Sequence, residues 1–106
     1  MALKINKLFD EEKKVWILKP YGEIDIYTAP KFKEILLNVI ETRDSNIIID
    51  GKDLEYIDST GLGVLISGLK RLKETDKNIT IINLRPNISK LFEITGLNKV
   101  FIVKEV

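Results

Sequence analysis

The sequence has no cysteine and no histidine. Together these absences exclude thiol nucleophiles, disulfides, histidine-based triads and most zinc or copper sites. A metal site could be assembled here only from oxygen ligands, and no metal ligand set or cofactor motif stands out. An excess of one charge is also missing. Seventeen Lys and Arg face sixteen Asp and Glu, for a net charge of +1, so there is no electrostatic footprint for nucleic acid or an anionic membrane. The lysines are scattered, the pattern of a solvated surface. No apolar run approaches the roughly 20 residues that a bilayer-spanning helix needs. The opening stretch Met1-Ala2-Leu3-Lys4-Ile5-Asn6-Lys7 alternates in polarity and lacks the apolar core of a signal peptide. With the absence of cysteine, this makes a cytoplasmic protein the expectation.

What is present describes one ordinary domain spanning residues 1–106. The chain is 44% hydrophobic and 31% charged, a globular balance at a length that supports a single core. No linker, repeat or low-complexity stretch divides it. Leu3 to Phe9 alternates and predicts a strand, followed by the charged turn Asp10-Glu11-Glu12-Lys13-Lys14 and a second strand over Val15–Tyr21. The short spacing predicts an antiparallel hairpin. Pro20 lacks an N–H, which predicts a strand end or edge there. Gly22-Glu23-Ile24-Asp25 reads as a break.

Thr28 is the expected cap of a first helix, with Pro30 in its first turn and Phe32, Ile35, Leu36, Val39 and Ile40 on one face. Asn46–Asp50 reads as a central strand covered on both sides, and Gly51–Ile57 as a connection. A second helix begins near Asp58 or Ser59, with Leu62, Leu65, Ile66, Leu69 and Leu72 inward. Asn78–Leu84 reads as a strand, and Pro86 opens a third helix capped by Gly96. Val100–Val103 is expected to form a last strand or packed tail. The class that follows is α/β: a mixed, mainly parallel sheet of four to five strands, opened by an N-terminal hairpin and packed with helices. Trp16 and Phe92 are expected in the core.

Ligands and partners of open α/β sheets meet the carboxyl ends of strands. Two such junctions stand out: Gly22-Glu23-Ile24-Asp25, and Asp58-Ser59-Thr60-Gly61-Leu62-Gly63. In the second, three residues that cap helices well stand in a row, where one would suffice. Gly61 and Gly63 follow in the first helical turns, each costing about 1 kcal/mol relative to Ala. Two readings stand side by side. The segment is a cap, with glycines placed for close helix–sheet packing. Alternatively, the bare backbone admits another molecule, and a hydroxyl at a helix N-terminus accepts a phosphate of about −1.5 to −2 charges without unfolding the helix. Other chemistries have less behind them. Asp50 ends a central strand as a phosphate-accepting aspartate would, but the acids at Asp10-Glu11-Glu12 sit in a hairpin turn, so Asp50 reads as a turn-former. Glu23 and Asp25 could serve as an acid/base pair, but read more simply as rim residues. Dinucleotide and phosphate-loop glycine patterns are both absent.

Three segments together carry a resemblance. Gly22-Glu23-Ile24-Asp25 followed by Tyr27-Thr28-Ala29-Pro30 resembles the G-E-[LI]-D segment of the anti-sigma-factor antagonists of the STAS domain family. Asp58-Ser59-Thr60-Gly61-Leu62-Gly63 is similar to their D-S-[ST]-G-[LI]-G phosphorylation motif, and Leu91-Phe92-Glu93-Ile94-Thr95-Gly96-Leu97 to their closing segment. The resemblance covers essentially the whole chain and implies a single STAS-like domain without catalysis of its own. It implies that Ser59 is phosphorylated by a partner that is both anti-sigma factor and serine kinase, and that a metal-dependent serine phosphatase resets it. Glu23, Asp25, Asp58, Thr60, Gly61, Leu62 and Gly63 are then expected to belong to the partner-binding surface. A STAS docking subunit of a lipid-transport or stress-sensing complex is the alternative. The sequence leaves oligomeric state open, with a monomer as the expectation.

Overall fold

The computed structural model describes residues 2–105; the predicted domain limits, Met1 and Val106, lie just outside the described residues. Strands β1 (Leu3–Asp10) and β2 (Val15–Ile24) form the expected hairpin, from Leu3 opposite Gly22 to Asp10 opposite Val15. Asp10 fixes the turn between them. Its Oδ1 accepts the backbone N–H groups of Glu12 and Lys13, each at 3.0 Å, and Lys14 takes a positive φ of 56°. Chain order continues with α1 (Ala29–Thr42), β3 (Asn46–Asp50), β4 (Leu54–Ile57), α2 (Ser59–Lys73), β5 (Ile79–Ile82), α3 (Pro86–Thr95), a single 3-10 turn at Leu97–Lys99 and β6 (Ile102–Lys104).

The strands lie in the order β1-β2-β3-β5-β6, and every pairing beyond the hairpin is parallel. The mixed, mainly parallel α/β sheet is therefore present. It has one strand more than expected, because Leu54–Ile57, read from sequence as connection, is a strand. β4 pairs with the far end of β2, Gly22 against Leu54 and Ile24 against Ile57. Two further expectations change with it. Gly22, Glu23 and Ile24 extend β2 instead of breaking it, with a register shift between Gly22 and Glu23. Pro20 is fully buried inside β2, not at its end. It sits where the parallel neighbour changes: Val15–Leu18 pair with β3, Gly22–Ile24 with β4. A proline is tolerated there because the ladder on that side is interrupted. Gly22 has φ +107°, and a Cβ on it would collide with the carbonyl oxygen of Ala2, so no other residue fits this bend.

A single hydrophobic cluster joins the helices to the sheet. Phe32, Leu36 and Val39 of α1, Leu65, Leu69 and Leu72 of α2, and Ile88 and Phe92 of α3 pack with Leu18, Ile24, Ile47, Ile49, Ile79 and Ile81. Full burial of one such side chain contributes about 1.5–3 kcal/mol. The strand residues alternate as a half-covered sheet requires: Ile47, Ile49, Ile79 and Ile81 are buried, while Ile48 and Thr80 are only partly covered. The expectation that β3 is covered on both sides is thus corrected. Trp16, expected in the core, packs against the core cluster from its edge. It is partly buried, donates its indole N–H to the Arg43 carbonyl at 3.1 Å and meets Phe9 edge-on. Among the described residues, no helix is long and apolar enough to cross a membrane.

Candidate functional site

β2 and β4 end side by side, so the two junctions singled out in the sequence become one site. Ile24 and Ile57 are register partners, and the backbone N–H of Asp58 donates to the Ile24 carbonyl at 3.1 Å. From that shared edge, one chain turns into the loop before α1 and the other directly into α2.

The loop before α1 is organised by Asp25, which is 7% exposed. Its Oδ1 accepts the N–H groups of Tyr27 at 2.9 Å and Thr28 at 3.0 Å, while its carbonyl accepts the Ala29 N–H at 2.7 Å. Thr28 occupies the N-cap position of α1, but its hydroxyl makes no capping bond to the helix. It donates instead to the Glu23 carbonyl at 2.8 Å and accepts the Asp25 N–H at 2.9 Å. Asp25 and Thr28 therefore lock the loop onto the end of β2. Asp25, expected at the partner-binding surface, is an inward-facing residue that sets the loop's shape.

Asp58 caps α2. Its backbone is extended, with φ −109° and ψ −172°. Its Oδ1 accepts the N–H of Thr60 at 3.0 Å, the N–H of Gly61 at 3.3 Å and the Thr60 hydroxyl. These bonds hold the Asp58 carboxyl below its ordinary value of 3.8. The Thr60 hydroxyl is the chief cause, partial burial opposes it, and the N–H groups of Gly61, Thr60 and Ile26 reinforce it. The Asp58 N–H, on the Ile24 carbonyl, ties the cap of α2 to the start of the loop before α1.

Ser59 follows as the first residue of α2. It is exposed, and among the described residues its hydroxyl has no hydrogen-bond partner. Thr60 is exposed too, but its hydroxyl is engaged by Asp58. The two glycines divide between the two readings offered by the sequence. A Cβ on Gly61 would lie 2.6 Å from Ile24 Cγ2 and 2.7 Å from Ile57 Cγ1, so Gly61 lets the helix close onto the sheet. A Cβ on Gly63 would meet nothing within 4 Å, so Gly63 leaves bare, exposed backbone. Leu62 is 6% exposed and belongs to the core. Gly61 and Leu62 therefore present little to a partner, contrary to expectation. Glu23 is partly buried in β2, paired with Tyr56.

Sequence reasoning missed Ile26 and Tyr27, which are 63% and 85% exposed. Their only sequence signal is their place between Asp25 and Thr28, two residues that build turns. Asp50 behaves as the expected turn-former, accepting the Lys52 N–H at 3.1 Å. Among the described residues, no group of three or more acidic side chains is placed to hold a metal ion.

Comparison with known proteins places this geometry. The STAS domain family model matches residues 6–106. The chain is 36% identical over 103 residues to an anti-sigma-B factor antagonist of Staphylococcus aureus, covering 97% of this chain and 95% of that relative. Its fold matches that of the anti-sigma factor antagonist SpoIIAA in unphosphorylated form, with TM-score 0.81 and 18% identity over 99% of this chain and 88% of the other. The phosphorylated form of SpoIIAA from Bacillus matches with TM-score 0.75 and 19% identity over 99% and 91%. At those identities the likeness to SpoIIAA is one of fold.

Proposed function

The chain belongs to the STAS domain family, and from that premise we propose that it is an anti-sigma-factor antagonist switched by phosphorylation of Ser59. The observation that carries this reading is the contrast between neighbouring hydroxyls. Ser59 stands exposed and unengaged at the head of α2, whereas the Thr60 hydroxyl is held by the cap. Of the two aliphatic hydroxyls at the head of α2, a kinase meets the one at Ser59 free, on a helix whose cap is already satisfied by Asp58.

In its unphosphorylated form the domain binds an anti-sigma factor with serine kinase activity, and the sigma factor is released. The kinase transfers the γ-phosphoryl group of ATP to Ser59 Oγ, whose proton leaves with the transfer, and ADP is formed. A metal-dependent serine phosphatase hydrolyses the ester and restores the free hydroxyl. The domain is substrate and binding partner in this cycle, acts in the cytoplasm as a monomer, and performs no catalysis itself. Glu23, Thr60 and Gly63 belong with Ser59 to the partner-binding surface, while Asp25 and Asp58 hold that surface in shape.

The switch needs charge more than movement. A phosphate on Ser59 adds about −1.5 to −2 charges beside the Asp58 carboxylate, in a surface that the partner must desolvate. A penalty of about 4 kcal/mol weakens binding about a thousandfold. That SpoIIAA, which shares this fold, is known in unphosphorylated and phosphorylated forms supports a fold that survives the modification. Incubation with the cognate kinase and ATP, followed by mass spectrometry, tests the assignment: phosphate on Ser59 is expected, and phosphate found only elsewhere overturns it.

A further inference from the structure

Ile26 and Tyr27 are large apolar residues left 63% and 85% exposed, on the loop that leaves β2 at the edge it shares with β4, from which α2 and Ser59 begin. The loop does not need them for its shape. Its bonds run from backbone groups to the Asp25 side chain and carbonyl, with the Thr28 hydroxyl returning to Glu23 and Asp25. Neither side chain belongs to the core cluster. Polar residues would serve this turn equally well, so the two apolar side chains are surplus to folding.

Resting on the reading of Ser59 as the phosphorylated switch, we propose that Ile26 and Tyr27 form the apolar anchor by which the kinase partner holds this domain, inserted into an apolar pocket next to the kinase active site. Two observations carry the step. The loop is presented rigidly: the Asp25 side chain takes the N–H groups of Tyr27 and Thr28, and the Thr28 hydroxyl ties the loop back to the Glu23 carbonyl. A preorganised aromatic side chain loses little further conformational freedom when it docks, which favours a strong contact. The second observation is position. Asp58 joins the two halves of the site, because its N–H donates to the Ile24 carbonyl at the base of one loop and its carboxylate caps the helix that begins with Ser59. A partner whose active site reaches Ser59 therefore lies over Ile26 and Tyr27 as well. Phosphate then arrives at the rim of the anchored contact, where it must be desolvated with it. The anchor supplies affinity and the serine supplies the switch.

The test titrates the full chain into the anti-sigma factor kinase that phosphorylates it, loaded with ADP so that no transfer occurs. Wild type is compared with Ile26→Ala, Tyr27→Ala and Leu8→Ala, while phosphorylation of wild type with ATP is mapped in parallel. Leu8 is a suitable control: it is also 63% exposed, but it pairs with Ile17 at the opposite end of β2. Ile26→Ala and Tyr27→Ala are each expected to weaken binding about tenfold or more, with Leu8→Ala within about twofold of wild type. As surface changes, the variants should shift the melting temperature by no more than about 4 °C. Binding of both loop variants within about twofold of wild type, with Ser59 still modified, overturns the anchor and leaves the switch standing. An equal loss in Leu8→Ala overturns the anchor's specificity. Wild type that binds but gains no phosphate on Ser59 overturns the switch, and the anchor inference falls with it.

Discussion

Asp58 and Thr60 are joined twice: Asp58 Oδ1 accepts the Thr60 N–H at 3.0 Å and also its hydroxyl. The residue between them, Ser59, is thereby left as the exposed, unengaged hydroxyl of the motif. Removing the carboxylate should remove both effects. Asp58→Ala is expected to lower the urea midpoint with an unchanged slope, since the helix loses its cap, and Asp58→Asn to retain most of the stability. It is also expected to free the Thr60 hydroxyl, so that phosphopeptide mapping finds a minor product there in the Ala variant and none in wild type.

The same bonds set a pH response. The folded-state pKa of Asp58 lies below its ordinary value of 3.8. A depressed carboxyl pKa means that the stabilisation is fully present above the unfolded value, and is lost as pH falls through the lower folded value. Carbon-detected NMR titration should therefore give Asp58 a midpoint below the ordinary value of 3.8. Amide shifts of Thr60 and Gly61 should follow the same curve. A midpoint at or above the ordinary value contradicts the cap geometry.

Asp25 tests the loop. It is buried and serves the N–H groups of Tyr27 and Thr28 with the hydroxyl of Thr28 nearby. Asp25→Ala leaves these donors without that acceptor and is expected to cost about 1–3 kcal/mol in urea unfolding. Amide exchange should rise at Tyr27 and Thr28 before it rises in the sheet.

The two glycines at the head of α2 should answer in opposite directions. Gly61→Ala forces a methyl group against Ile24 and Ile57, both buried, and is expected to destabilise by about 1–3 kcal/mol. Gly63→Ala meets open space and is expected to stabilise by about 0.5–1 kcal/mol, because alanine suits a helix better. Thermal unfolding distinguishes them. If Gly63→Ala also weakens kinase binding, the bare backbone at that position is used by the partner.

The α/β order, the hairpin and the helix faces were legible because their signals are local: alternation over Leu3–Phe9, helical spacing from Phe32 to Ile40, and turn chemistry at Asp10 and Gly96. β4 was hidden because its buried residues, Leu54 and Ile57, are three apart, and the alternation is broken where the register with β2 shifts. Pro20 misled for a related reason. Its place in β2 depends on an exchange of neighbours that no local pattern records. At the site, the residues themselves were legible, but their directions were not. Asp25, Leu62 and Gly61 turn inward because β2 and β4 end together, a tertiary fact. The exposure of Ile26 and Tyr27 follows from the loop's hydrogen bonds, whereas apolar residues in sequence suggest burial.

The most direct measurement compares the kinase affinity of the unphosphorylated domain with that of the same domain fully phosphorylated, by surface plasmon resonance with ADP present. With the modification mapped to Ser59, affinity is expected to fall about a thousandfold, while Ser59→Ala binds like the unphosphorylated wild type and gains no phosphate. Equal affinity of the two forms contradicts the proposed switch.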